Sequence, residues 1–266
     1  MKTLYSLNMS YFHTLAFFLL SIAVTFFVIN LGFWIGSCHR KKIEGELDGS
    51  VGNAVGATLG LLAFMMAFTF GAAADRYQNR KEFLLEEVNS IHSDYLRAGL
   101  LLEPHKTEVR KLLREYVDLR AEVIPGMNPE DFGKIVKGSE AIQKNLWEHA
   151  MAIAEKDRSS EIDALFISEL TEVIKLGNRR LIVGTQYRIP AAIYATLILI
   201  HILAMILVGF QFGLSGKRSP IVNLILALAF SAIFWLIFDL DNQTGFIQVR
   251  QRPMLELKQR LNAEAL

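Results

Sequence analysis

The residues with the most chemical promise lie in one stretch, Gly52 to Arg80. Gly52, Gly56, Gly60, Phe64, Phe68 and Ala72 recur every fourth residue there, a spacing that places them on one face of an α-helix. The face is small at one end and aromatic in the middle. Two physical uses fit it. Small-xxx-small rows let membrane helices approach closely. Alternatively, a hydrophobic ring repeated around an oligomer gates a pore by dewetting, in which case Gly56, Gly60, Phe64 and Phe68 are the lining and gate.

Asp75, Arg76 and Arg80 follow where the uncharged run ends. A ring of Arg76 or Arg80 in an oligomer would attract small anions and repel cations. The plainer use is a basic anchor at the membrane surface, or pairing along the helix with Glu82, Glu86 or Glu87. His201 sits inside a second apolar run, where an ionisable side chain is a polar lining, a proton relay, or a neutral imidazole bonded to a neighbouring helix. Asp239, near the end of a further apolar run, could pair with a basic residue on the domain side, and a structural role is the plainer one.

Other chemistry is not expected. Glu86, Glu87, His92 and Asp94 are ligand types on one segment, but Glu87 and His92 are not four residues apart and no second cluster completes a shell, so no metal site is expected. There is no G-x-S-x-G, no phosphate-binding glycine loop and no His–Cys pair, hence no catalytic residue and no cofactor. Net charge is +1 over 266 residues, without a basic stripe interleaved with aromatics, which argues against nucleic acid. The single cysteine, Cys38, rules out an intramolecular disulfide.

The elements that carry these residues are apolar helices. The chain is 52% hydrophobic with a mean hydropathy of +0.30, unevenly spread, as in an integral membrane protein whose partner is the lipid bilayer. About 24 uncharged residues from Val51 to Ala74 suffice to cross a hydrocarbon layer of ~30 Å. Leu15–Ile35, Ile189–Leu214 and Ile221–Leu240 complete four spans. The first is too long for a signal-peptide core.

The residues between spans two and three are polar and amphipathic. Asp75 to Leu101 holds no breaker, so the second span is expected to run on as one long helix. Pro104 opens a helix with Val109, Leu112, Leu113, Tyr116 and Val117 on one face, ending at Pro125-Gly126. Asn128-Pro129 starts another, interrupted near Gly138 and continuing towards Ala154. Ser159 or Ser160 caps a third, with Ile162, Leu165, Phe166, Leu170, Val173 and Ile174 as its buried stripe. Residues 246–250 read as briefly strand-like, and a charged helix follows from about Pro253. The expected fold is all-α: four transmembrane helices with a helical cytosolic domain inserted between spans two and three. The expected divisions are 1–74, 75–188, 189–240 and 241–266.

An even number of spans puts both termini and the middle domain on one side. That side carries more basic residues near span ends, among them Lys2, Arg76, Arg80, Arg179, Arg180 and Arg188, than the short loops with Arg40, Lys41, Lys42, Lys217 and Arg218. The excess favours a cytoplasmic domain and cytoplasmic termini.

These residues resemble the bestrophin superfamily, and within it a bacterial bestrophin-like branch. The resemblance rests on Gly56-Ala57-Thr58-Leu59-Gly60-Leu61-Leu62, Ala67-Phe68, Asp75-Arg76-Tyr77 and Arg80. Glu86-Glu87-Val88-Asn89, Ile91, Tyr95-Leu96-Arg97-Ala98 and Leu113-Arg114-Glu115-Tyr116-Val117-Asp118 extend it, and Asp241, Gly245, Ile247 and Val249 match its closing motif. After that aspartate the branch has proline and phenylalanine where this chain has Asn242 and Gln243. The resemblance implies a pentameric, anion-permeable channel in a bacterial inner membrane, with the second helix lining the pore. Matching Arg76 to the family arginine puts the hydrophobic neck on Gly60, Phe64 and Phe68. It carries over no calcium site. The alternative is a non-conducting scaffold or sensor whose cytosolic helices bind a partner.

Overall fold

The computed structural model describes residues 2–40, 47–124, 126–185, 188–216, 219–242 and 245–264, which are all-α, with no strand among them. The helices are α1 (Lys2–His39), α2 (Leu47–Ala98), α3 (His105–Ala121), α4 (Pro129–Lys156), α5 (Glu161–Thr185), α6 (Ala191–Ser215), α7 (Pro220–Asp241) and α8 (Arg252–Ala263). Thr14–His39, Gly49–Ala98, Ala191–Ser215 and Pro220–Asp241 are long and apolar enough to cross a membrane. The chain divides into two compact units, one of Leu7–Arg76 and Arg188–Ile247, the other of Met1–Ser6, Tyr77–Tyr187 and Gln248–Leu266.

In the apolar unit, α1 and α6 approach through glycines. A Cβ at Gly32 or Gly36 would collide with the carbonyl oxygens of Ile206 or Phe210, and one at Gly209 or Gly213 with those of Ile29 or Phe33. Two G-x-x-x-G steps thus face each other, backbone on backbone. Gly216, at φ 67°, closes α6 in the left-handed conformation that an L side chain resists. Ser219 caps α7, with Pro220 in its first turn. Beyond α7 the strand-like expectation fails: Phe246 and Ile247 each donate a backbone N–H, at 2.8 Å, to the buried carboxylate of Asp239. Those amides serve a side-chain acceptor instead of a neighbouring strand. Asp239 therefore has a structural role, as an anchor for backbone amides; among the described residues the basic side chain it could have paired with is not found.

The helical unit is built from the charged part of α2 with α3, α4, α5 and α8 around one core. Ile91 and Tyr95 meet Leu113 and Tyr116, Leu146, Phe166 and Leu170, and Met254 and Leu257 there. As the unbroken sequence suggested, α2 continues through Asp75 to Ala98. Asn128 caps α4 by accepting the Glu130 amide at 3.0 Å, and Ser160 accepts the Asp163 amide at 3.2 Å.

In the helical unit three further expectations need correction. First, α4 is not interrupted at Gly138; a Cβ there would press on Leu119 at 3.0 Å, so this glycine admits a close helix–helix contact. Second, α3 ends at Ala121, short of Pro125-Gly126, and Pro125 lies outside the described residues. Third, Phe166, Leu170 and Val173 are buried on α5, but Ile162 and Leu165 are exposed. Leu165 is one residue, about 100°, round the helix from Phe166.

Candidate functional site

On α2 the four-residue row faces outward. Phe64 and Phe68 are 68% and 64% exposed, and Gly56 and Gly60 are exposed with them. A Cβ at either glycine would meet nothing within 4 Å. Val55, Leu62, Met66, Thr69 and Ala73 are buried on the same helix, so an apolar segment has one face against its own unit and one turned away. Among the described residues, close helix packing through glycine is made by α1 and α6 and not by Gly56 or Gly60. Only Gly52 comes near another helix, its Cβ position 3.3 Å from the Gln211 amide nitrogen.

Where the uncharged run ends, Arg76 Nε lies 2.9 Å from Asp241 Oδ1. The ion pair is partly buried, with side chains 21% and 9% exposed. Asp241 also accepts from the Ile189 amide and the Tyr194 hydroxyl, each at 3.3 Å. One carboxylate thus joins the last turn of α7, the start of α6 and α2. The sequence reading offered Arg76 glutamates on its own helix; the structure pairs it across the unit. Arg80 belongs to the helical unit and is half-buried.

His201 is buried on α6, its Nε2 2.9 Å from Thr25 Oγ1 of α1. Phe234 stands edge-on to the ring at 4.9 Å and Phe230 lies at 5.7 Å. This imidazole joins two helices, and none of these contacts touches the Gly56–Phe68 row.

The acidic residues weighed as ligands are used otherwise. Glu87 is fully buried and paired with Arg120, 2.8 Å away, and with Arg180. Tyr116 donates to it at 3.2 Å, Gln143 donates to Tyr116 at 3.1 Å, and Arg180 donates to Gln251 at 2.6 Å. Burial alone would raise the Glu87 pKa, but the two guanidiniums hold it below its ordinary value. A Cβ at Gly177 would press on the Tyr116 hydroxyl, so α5 needs glycine where it passes this network. Asp94 is also fully buried, and among the described residues neither oxygen has a hydrogen-bond partner. Burial and the nearby charge of Glu169 push it up to about 8, against a smaller opposing effect of Arg97. Glu169 itself accepts from Ser90 at 3.0 Å and pairs with Arg97 at 3.1 Å. Among the described residues no three ligating side chains assemble a metal site.

Asp241, Thr25, Tyr194 and the four packing glycines escaped the sequence reading as partners. The glycine spacing was visible in the sequence; which residue would meet Arg76 was not.

The model of the bestrophin-like domain family matches residues 22–254. Crystal structures of a bacterial bestrophin homologue from Klebsiella pneumoniae, in two singly substituted forms, are similar in fold. One is 13% identical, covering 94% of this chain and 98% of that one, with a TM-score of 0.66. The other is 14% identical, covering 95% and 98%, with a TM-score of 0.67. A crystal structure described as a membrane protein is 13% identical over 94% and 98%, with a TM-score of 0.68. The search of curated proteins returned no match.

Proposed function

The chain belongs to the bestrophin-like family, and from that premise we propose that it is a homo-oligomeric, anion-permeable ion channel. In this reading α2 lines the pore, Gly56 and Gly60 form its wider part, and Phe64 and Phe68 its constriction. Arg76 and Arg80 form the ring that attracts small anions such as chloride. The four spans sit in a bacterial inner membrane, with residues 75–188 and both termini in the cytoplasm. Five subunits follow from the resemblance.

The observation that carries the proposal is the outward row on α2. It is apolar, four-spaced and unfilled at its glycines, on a helix whose other face is already packed. Phenylalanines turned towards a shared axis constrict by excluding water, and glycines turned the same way leave room.

The test is solvent access. With Cys38 replaced, cysteines at positions 64 and 68 are offered a membrane-impermeant thiol reagent in the assembled protein. Rapid labelling at both, with slow labelling at the buried position 62, supports a water-filled row. A second reading, a non-conducting scaffold or sensor, draws on Arg76, whose charge is already met by Asp241. Labelling no faster at 64 and 68 than at 62 would favour it.

A further inference from the structure

We propose that His105 and His149 form a binding site for a late first-row divalent metal ion, zinc being the probe ion. The inference is independent of the channel reading. His105 is the first residue of α3 and His149 lies in the last third of α4. Their Nδ1 atoms stand 3.0 Å apart, with ring centroids 5.3 Å apart and planes crossed at 83°.

The simplest content of that distance is one imidazole donating its N–H to the other. The same distance suits a shared ion. With metal–nitrogen bonds of about 2.0–2.1 Å, two ligand nitrogens lie about 2.9 Å apart at a right angle and about 3.4 Å apart at the tetrahedral angle. The observed pair falls between the two, so an ion could replace the shared proton with small ring movements. Imidazole is also the ligand type these ions favour.

The site is held from below and open above. Val109, one turn beyond His105, and Ala150, next to His149, are buried in the core, so the helices carrying both rings are fixed. The rings themselves are only half-buried, which leaves room for water at the remaining coordination positions. Partial burial and the neighbouring His149 hold the His105 imidazole below its ordinary pKa, favouring the neutral ring that ligation requires. Two other charges act on His105. Lys156 of α4 opposes a cation there, and Asp163 in the first turn of α5 favours one. With two protein ligands, an open site of modest affinity is expected, binding more weakly as pH falls and protons compete.

The experiment is calorimetric titration of Zn²⁺ into the full-length protein in detergent, with His105→Gln, His149→Gln and the double variant. Glutamine keeps a polar side chain of similar reach, and melting without metal verifies that each variant is folded. The proposal expects about one ion per chain, weakened at least tenfold by either substitution, since loss of even an outer partner of a metal ligand costs that much. A second measurement needs no variant: Zn²⁺ should protect His105 and His149 of the native protein from carbethoxylation, as mapped by mass spectrometry, and leave His39 reactive. Absence of uptake, uptake undiminished in the double variant, or unprotected rings would overturn the proposal and leave a histidine pair sharing a proton.

Discussion

Arg76 of α2 and Asp241, the last residue of α7, stand 2.9 Å apart as a partly buried ion pair. The guanidinium expected to attract anions is already matched by a carboxylate. Asp241→Asn keeps Oδ1 as an acceptor for the Ile189 amide, puts an amide NH2 where Oδ2 accepted from the Tyr194 hydroxyl, and leaves Arg76 without its counter-charge. Melting should show a loss of about 1–3 kcal/mol. In the channel reading chloride conductance should rise, most at low ionic strength, where the freed charge is least screened. An unchanged melting point would mean that the pair contributes nothing.

The glycines divide into two kinds that substitution should separate. Gly60→Ala adds a methyl to open space and should leave assembly intact, with a helix gain of up to about 1 kcal/mol. Gly209→Ala drives a methyl into the Ile29 carbonyl and should lower thermal stability by about 1–3 kcal/mol, as overpacking does. Melting curves of the two variants check the contrast; equal effects would contradict it.

How far the sequence could be read depended on the range of the interaction. Uncharged stretches identify spanning helices because bilayer thickness fixes their length, and Asn128 and Ser160 announce helix starts because capping is local. Gly138 misled because a helical glycine signals either a break or a close neighbour, and only Leu119 decides which. Residues 246–250 misled because Asp239, not a second strand, takes the amides of Phe246 and Ile247. The α2 row was legible as a row. Its outward direction was not, since that part of the helix is almost uniformly apolar and its orientation shows only in which residues, Leu62 and Met66 among them, are buried on the opposite side.

Asp94 should make the helical unit lose stability as pH rises from acid towards about 8. Its folded pKa of about 8 lies above the 3.8 of an ordinary aspartate. Its contribution to stability is therefore full below about pH 3.8 and is lost as pH rises towards 8. Asp94→Asn, which stays neutral, should gain on the native protein across that window by on the order of a few kcal/mol. Melting at pH 5 and pH 8.5 checks this; a parallel pH dependence of the two proteins would contradict it.

Glu87 carries the opposite expectation. Glu87→Gln leaves Arg120 and Arg180 buried without their counter-charge, and breaking such a pair costs about 3–5 kcal/mol. The folded pKa is lowered, so the native pairing is present above the ordinary glutamate range and is lost as pH falls through the folded value. The gap between variant and native protein should be widest near neutrality and narrow in acid. A gap that persists unchanged into acid would assign the loss to packing.

The channel reading meets its most direct test in a planar bilayer under a chloride gradient, with native protein and Phe64→Ala compared. A chloride-selective current, enlarged or made continuous by removal of the ring, is the predicted result. No current from either form, with the oligomer intact, would contradict it.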